Sequence, residues 1–320
     1  MIVTVTLNPA VDKIYWVDSL RVGRVVEEEF LTRATRSSTS AGGKGVNMSV
    51  VLSQLGMENV AMGFIAGSAG HVVARDLRAK NVTTNFVWTR GETRTNAVVL
   101  EEGQSRILIF IGEAGPAVDA NDVKHFIRRY RRMLPSASWV VLAGSLPPGV
   151  DADLYRDLAT MAREAGAKVI LSAGGDALQR GLEAGPTIVK PDTREERLLE
   201  GRSLATRETI LEAGRHIVDR GQAEVVIVSH EVTGDVVVTR DAAWEIRSSV
   251  PASELKNLVG ADDAFLAGTL FRLANGEPME RALRFGLAAG VATAESEGKV
   301  CGDVGRIEAR MNQVTVDRIS

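Results

Sequence analysis

The chain of 320 residues is short of several things, and each shortage removes a class of function. It has one cysteine, Cys301, so no disulfide can close within the chain, and a reducing compartment fits. Its net charge is −3, which gives no support for bulk binding of nucleic acid. The basic run Arg128-Arg-Tyr-Arg-Arg132 is the local exception. It lies in a stretch that reads as a helix with a charged face, and such runs usually face water. No apolar run approaches the roughly 18 residues of a membrane span. The four histidines, at 71, 125, 216 and 230, lack metal-ligand spacing. Residues 1–7 lack the basic start and long apolar core of an export signal, so a cytoplasmic location is expected. No internal repeat or low-complexity linker interrupts the chain.

What is present is alternation. A short strand at 2–7 is followed by extended segments near 13–18 and 29–37, a helix from 44 to about 55, a strand at 60–66 and a helix to about 80. Segments 85–88, 95–101 and 105–111 alternate polar with apolar residues, as antiparallel strands do. From Asp119 onward the pattern is helix 120–133, strand 139–143, helix 151–165, strand 168–172, helix 175–183, strand 187–190, helix 205–220, strands 224–229 and 235–239, then helices 261–274 and 278–296. Apolar strands alternating with amphipathic helices imply an α/β fold, a mostly parallel central sheet with helices on both faces. The expected unit is one domain over 1–320, with a small β-sheet lid from about 10–38 and 84–112.

The chemistry concentrates where loops meet helices. Gly260-Ala-Asp-Asp263 opens the apolar helix at 261. A helix N-terminus carries unpaired N–H groups and the positive end of the macrodipole, so it can hold a phosphate. Asp263, in its first turn, is placed to take a proton from a hydroxyl, the need of phosphoryl transfer to an alcohol. The plain alternative is an acidic residue that merely favours the dipole. Gly42-Gly43-Lys44-Gly45 also opens a helix. It is not a P-loop, because Gly45 stands where that motif needs a hydroxyl residue. Its glycines would let backbone approach a ligand, with Lys44 as a cation for a sugar or phosphate. Ser145 lies in Gly144-Ser-Leu-Pro-Pro-Gly149, directly after a strand, where ligand crevices form. In Lys190-Pro-Asp-Thr-Arg-Glu195, Asp192 and Glu195 are three apart and could hold magnesium from one helix side; equally, they could form a capping box. Asp12 after the first strand suits sugar hydroxyls, and Arg94 and Asn96 in the lid segment could reach a substrate phosphate.

These motifs, in this order and over nearly the whole chain, resemble the PfkB branch of the ribokinase-like carbohydrate kinases, closest in pattern to fructose-1-phosphate and tagatose-6-phosphate kinases. Thr6-Leu-Asn-Pro-Ala-Val-Asp12, Ala41-Gly-Gly-Lys-Gly-Val-Asn47, Gly91-Glu-Thr-Arg-Thr-Asn96, Gly144-Ser-Leu-Pro-Pro-Gly149 and Gly260-Ala-Asp-Asp-Ala-Phe265 carry the resemblance. It implies a ribokinase-like fold in which ATP, with Mg2+, phosphorylates a hydroxyl of a ketohexose phosphate. Asp263 would be the base, with Gly260, Ala261 and Asp262 forming an anion hole around it. Asp12, Gly42, Gly43, Lys44, Asn47, Arg94, Asn96 and Ser145 would hold the sugar phosphate. Lys190, Asp192, Ser229, Glu231, Gly234 and Gly260 would line the nucleotide, with Asp192 and Glu195 toward the metal. A homodimer through the lid is also implied.

The departures add charge. Asp262 stands at the second glycine of the signature, Glu231 at another glycine, Asp192 at the usual asparagine, and Ser172 at an aspartate. Three of these changes put a carboxylate on the nucleotide side. They keep a second reading open, a sugar-phosphate-binding protein with impaired catalysis. A third, a kinase for an unphosphorylated substrate, turns on whether Arg94 is needed.

Overall fold

The computed structural model describes residues 1–21, 31–102, 107–194, 196–231, 234–296, 298–299 and 301–319. The N-terminal part runs β1 (Ile2–Thr6), β2 (Ala10–Val17), β3 (Arg36–Gly42), α1 (Lys44–Gln54), β4 (Asn59–Ile65), α2 (Gly67–Ala79), β5 (Thr83–Thr84), β6 (Val87–Trp88), β7 (Arg94–Glu101) and β8 (Ile107–Gly112). The middle continues with α3 (Ala120–Met133), β9 (Trp139–Ala143), α4 (Leu154–Glu164), β10 (Lys168–Ser172), α5 (Gly175–Leu182), β11 (Ile188–Val189), β12 (Leu198–Leu199), β13 (Arg202–Ser203) and α6 (Arg207–Asp219). The remainder is β14 (Val225–Glu231), β15 (Gly234–Thr239), β16 (Ala243–Ser248), α7 (Ala261–Ala274), α8 (Met279–Ala294), α9 (Val304–Arg310) and β17 (Val314–Arg318).

Runs such as Trp139-Val-Val-Leu-Ala143 are buried along their whole length, the mark of a strand covered on both faces. The large sheet has the order β5-β4-β1-β9-β10-β11-β14-β15-β16-β17, and β6 also pairs with β4. It is parallel from β5 to β14, and β15, β16 and β17 extend it antiparallel. Helices α3 to α6 contribute to the core on one face, and α1 with α7 to α9 to the core on the other. The chain builds outward from β1 to β4, then returns to β9 on the other side of β1. That reversal opens a crevice at the carboxyl ends of the strands.

A second sheet, β3-β2-β7-β8, has its own small core of Ile14, Trp16, Val98 and Leu100, against which Val259 packs. Two expectations need correcting here. The pairing of β2 with β7 is parallel, not antiparallel, because the whole β3–α1–β4–α2 unit separates them and returns the chain in the same direction. Residues 83–88 belong to the large sheet, where β5 and β6 run parallel to β4. Residues 29–30 and 105–106 of the expected strands lie outside the described residues. β16, β17 and α9 were not anticipated. The basic run lies on α3 with Phe126 and Tyr130 buried and Arg128, Arg131 and Arg132 exposed, as a solvated face should.

Candidate active site

Asp263 sits in the first turn of α7, whose start is set by Gly260 at φ 85°, ψ 0°. That left-handed conformation is open to glycine at little cost and lets the chain turn sharply into the helix. Asp263 is 5% exposed, and Asn47 Nδ2 donates to its Oδ2 at 2.7 Å. Asn47 lies on α1, so the two helix starts are joined side chain to side chain. Burial pushes the Asp263 carboxyl above the ordinary aspartate range, against the pull of Lys44 and the Asn47 bond. Lys44, the first residue of α1, reaches Asp192 Oδ2 at 3.6 Å.

Asp262 stands at a glycine position of the signature without backbone strain. Its backbone is ordinary helix, not a left-handed conformation, so glycine is not required there. Its carboxylate is 59% exposed and lies 3.6 Å from Lys190 Nζ, whose ammonium holds it below the usual carboxylate range. Lys190 itself is buried beneath. It donates to Asp235 Oδ1 at 2.7 Å and to Ser229 Oγ, and Ser229 in turn donates to Asp235. Burial favours the neutral amine, but Asp235 and Asp262 outweigh it and raise the Lys190 pKa.

Asp192 needs a correction. Among the described residues no helix begins there: residues 191–194 form an irregular turn and 196–197 are not helical, so neither the paired helix face nor the capping box has a helix to sit on. Arg194 folds back instead, giving two side-chain hydrogen bonds to the Asp192 carboxylate at 2.9 and 2.6 Å. Burial acts to raise that carboxyl, but Arg194 and the Lys44 charge prevail and hold it well below the usual range. Glu195 lies outside the described residues, as does the Glu231 side chain. The Glu231 backbone pairs with Gly234 where β14 meets β15, past a register shift between Ser229 and Glu231. Ser172 is buried at the end of β10.

The other wall comes from the small sheet. Strand pairing places Asp12 beside Asn96 and Ala10 beside Arg94 in parallel register. Successive side chains point to opposite faces, so Arg94, Asn96 and Asp12 share the face that carries Ile14, Trp16, Val98 and Leu100. Asn96 Nδ2 donates to Asp12 Oδ1 at 2.7 Å. Gly42 is required by close approach: a Cβ there would lie 2.3 Å from the Asp12 carboxylate. Arg94 Nε is held by Asn8 O at 3.1 Å, and Asn8 Nδ2 lies 3.4 Å from the exposed Ser145 Oγ. The amide oxygens of Asn8 and Asn96 are buried without a partner among the described residues.

Two residues were missed from sequence. Arg194 follows the Lys-Pro-Asp turn, and its charge acts on Asp192, Asp262, Asp263 and Arg94. Lys299, after α8, donates to Asp12 Oδ2 and to Asn47 Oδ1. Arg194 lies within the Lys190–Glu195 stretch but was given no role there, Lys299 belongs to no motif, and only the folded chain shows what each touches. The arrangement therefore brings together a buried carboxylate at a helix N-terminus, the cations Lys44, Lys190, Arg94 and Arg194, and a polar cluster around Asp12. Among the described residues no three His, Cys, Asp or Glu side chains gather as a metal cluster, and no helix is long and apolar enough to cross a membrane.

The profile of the pfkB family carbohydrate kinases matches residues 6–301. A 1-phosphofructokinase of Bacillus subtilis is 35% identical over 297 residues, covering 93% of each chain. A D-tagatose-1-phosphate kinase of Bacillus licheniformis is 30% identical over the full length of both chains. A solved structure from Thermotoga maritima, described as a possible 1-phosphofructokinase, superposes over 100% of both chains with a TM-score of 0.90 at 34% identity.

Proposed function

The chain belongs to the pfkB family of carbohydrate kinases, and on that premise we propose that it moves the γ-phosphoryl group of ATP to a hydroxyl of a ketohexose phosphate, with Asp263 as the base. The observation that carries this reading is the Asp263 carboxylate, buried, bonded to Asn47 and raised in pKa at the start of α7. A base whose pKa lies above that of a free carboxylate is better matched to a hydroxyl proton near neutral pH. The substrate oxygen attacks phosphorus, the bond from phosphorus to the ADP oxygen breaks, and the hydroxyl proton goes to Asp263. The first-turn amides of Asp262 and Asp263 lack helical acceptors by position and face the developing charge.

The sugar end falls to the Asp12 pocket, with Asn96, Asn47 and the Gly42-Gly43 backbone around it. The two unpartnered amide oxygens are acceptors for sugar hydroxyls. Arg94 faces the substrate phosphate, with Lys44 beside the reacting centre and Ser145 at the pocket edge. On the nucleotide side Ser229, Glu231 and Gly234 lie at the adjoining ends of β14 and β15, with Ser229 against Lys190. Magnesium, when bound with the nucleotide, would neutralise its phosphates; oxygen ligands suit it, and it commonly keeps several waters with one or two carboxylates. Asp192, held by Arg194 and Lys44, is the carboxylate proposed toward it, whereas Asp262, at the phosphate end of α7, is paired with Lys190. This reading places the protein in the cytoplasm, where ATP and sugar phosphates are found.

The small sheet is proposed as a lid over this pocket, on a single domain spanning 1–320. Its edge strand β8 exposes apolar Ile107, Phe110 and Ile111 on its two faces, an edge unpaired among the described residues and suited to a second copy of the chain, so a homodimer through the lids is proposed.

The test is turnover with Mg-ATP against fructose 1-phosphate, tagatose 1-phosphate and tagatose 6-phosphate, beside D263N. Activity in the unmodified protein that falls at least a thousandfold in D263N is expected. Activity that survives in D263N would overturn the assignment. Tight sugar-phosphate binding with neither ATP affinity nor turnover would favour the binding-protein reading, which rests on the Asp262 carboxylate at the phosphate end of α7.

A further inference from the structure

Lys299 makes a contact that no motif explains. It lies in the segment after α8 and reaches the Asp12 carboxylate. Its ammonium donates to Asp12 Oδ2, to Ala41 O at 3.1 Å and to Asn47 Oδ1 at 3.1 Å. An ammonium has three N–H donors, and all three are used. The aliphatic stem runs past Gly260: a Cβ on that glycine would stand 3.7 Å from Lys299 Cγ and Cδ. The same segment is pinned a few residues on, where buried Cys301 donates its backbone N–H to Gln54 Oε1 at 3.3 Å and lies with Sγ 3.1 Å from that oxygen. Gln54 and Asn47 are both on α1, so the segment is fastened to one helix at two points.

Asn47 is the hinge of the arrangement. Its amide has one acceptor end and one donor end. Lys299 takes the acceptor end, which leaves the donor end for Asp263 Oδ2 at 2.7 Å. Hydrogen bonds therefore run from Asn96 to Asp12, to Lys299, to Asn47 and to Asp263. They join the carboxylate proposed to hold the sugar to the carboxylate proposed to take its proton.

We propose that Lys299 is a positioning residue of the phosphoryl-transfer site: an internal cation that neutralises Asp12 and, by fixing the orientation of the Asn47 amide, aims the Asp263 carboxylate at the substrate hydroxyl. The proposal rests on the kinase reading above. The side chain does not touch the reacting atoms; it acts through Asn47 and Asp12. Asp12 is 4% exposed, and a buried carboxylate stripped of its cation is costly or becomes protonated. Burial works to raise the Asp12 carboxyl, and the charge and hydrogen bond of Lys299 are the largest influences that bring it down instead.

The experiment compares the unmodified protein with K299M, which keeps the stem and removes the ammonium, and with K299R. In K299M, kcat should fall at least thirtyfold and fructose 1-phosphate should bind at least tenfold more weakly by calorimetry, while KM for Mg-ATP stays within twofold. K299R should recover part of kcat. K299M with N47A should be no more than about threefold slower than N47A alone, because the two act in one line. A kcat and sugar affinity of K299M within threefold of the unmodified protein, or full additivity with N47A, would overturn the proposal. So would a rise in both KM values with a lowered melting temperature, which is the signature of general damage. Should K299M fail to fold, K299Q is read against the same limits. Absence of turnover in the unmodified protein would instead strike the kinase reading, and the calorimetric comparison would then decide the role of Lys299 by itself: affinity equal or tighter in K299M overturns it.

Discussion

Removing the ammonium of Lys190 should destabilise the protein and expose how Asp262 is tolerated. Lys190 and Asp235 are 4% and 6% exposed, with the ammonium 2.7 Å from the carboxylate. At an effective dielectric near 20 that separation corresponds to an attraction of about 6 kcal/mol. Desolvation of both groups offsets most of it, so the pair adds little net stability, yet either partner left alone is a buried charge. K190M strands Asp235 with Ser229 as its remaining donor, and the expected loss is about 3–5 kcal/mol. In a chain of this size that is a fall of the melting temperature on the order of 4–8 °C. The double variant K190M/D235V removes both charges and should return to within about 2 kcal/mol of the unmodified protein. Function then separates from stability. In the double variant Asp262 has lost the cation 3.6 Å away. Asp262 is more than half exposed and screened, so the effect on Mg-ATP binding should stay below about 1 kcal/mol, or fivefold in KM. Adding D262G should abolish that residual defect and leave the sugar KM unchanged. Urea unfolding followed by circular dichroism reads the first effect and steady-state kinetics the second. A K190M protein within 1 kcal/mol of the unmodified one would refute the reasoning about the pair. An Mg-ATP KM in the double variant that D262G fails to restore would refute the reasoning about Asp262.

D263N should lose turnover and be at least as stable as the unmodified protein at pH 7, measured by thermal unfolding. The folded Asp263 carboxyl lies above its unfolded value, so stability falls as pH rises from the ordinary aspartate range through the raised one, and ionisation at pH 7 carries a cost that Asn removes. A clear drop in melting temperature would contradict this. The kcat profile should lose activity on the acid side with a midpoint above the ordinary aspartate value, and D262N should move that midpoint down, since the Asp262 charge raises Asp263; an unmoved limb would show the two carboxylates to be uncoupled. R94A should raise the KM for a sugar phosphate at least tenfold, and an unaffected KM would favour an unphosphorylated acceptor. F110D/I111D, placing charge on the exposed edge strand β8, should shift sedimentation from dimer to monomer, and an unchanged sedimentation coefficient would remove the lid as the interface.

Much of the site was legible along the chain. Gly260-Ala-Asp-Asp263 announced a helix start with a carboxylate in its first turn, and the structure has α7 at Ala261–Ala274. Trp139–Ala143 and Lys168–Ser172 were read from apolar runs alone. These features are local: helical and strand periodicity, and the backbone freedom of glycine, are written within a few residues of where they act. The turn at Asp192 was misread because Asp-x-x-Glu is also a capping pattern, and the competing claim of Arg194 on the carboxylate cannot be weighed without its geometry.

The sequence by itself determined most of the strands and helices of the central sheet and the glycine-led starts of α1 and α7, though not β16, β17 or α9. Tertiary structure alone decided the partners of the charges. Asp12 meets Asn96, 84 positions away, through parallel strand register. Asp262 becomes tolerable because β11 and β14, adjacent in the sheet, bring Lys190 and Ser229 beneath it. Lys299 reaches Asp12 across 287 positions because the chain after α8 is fastened to α1. The physical reason is range: periodicity is a property of neighbours along the chain, whereas the energy of a buried charge depends on whatever the crossovers set within a few ångströms of it.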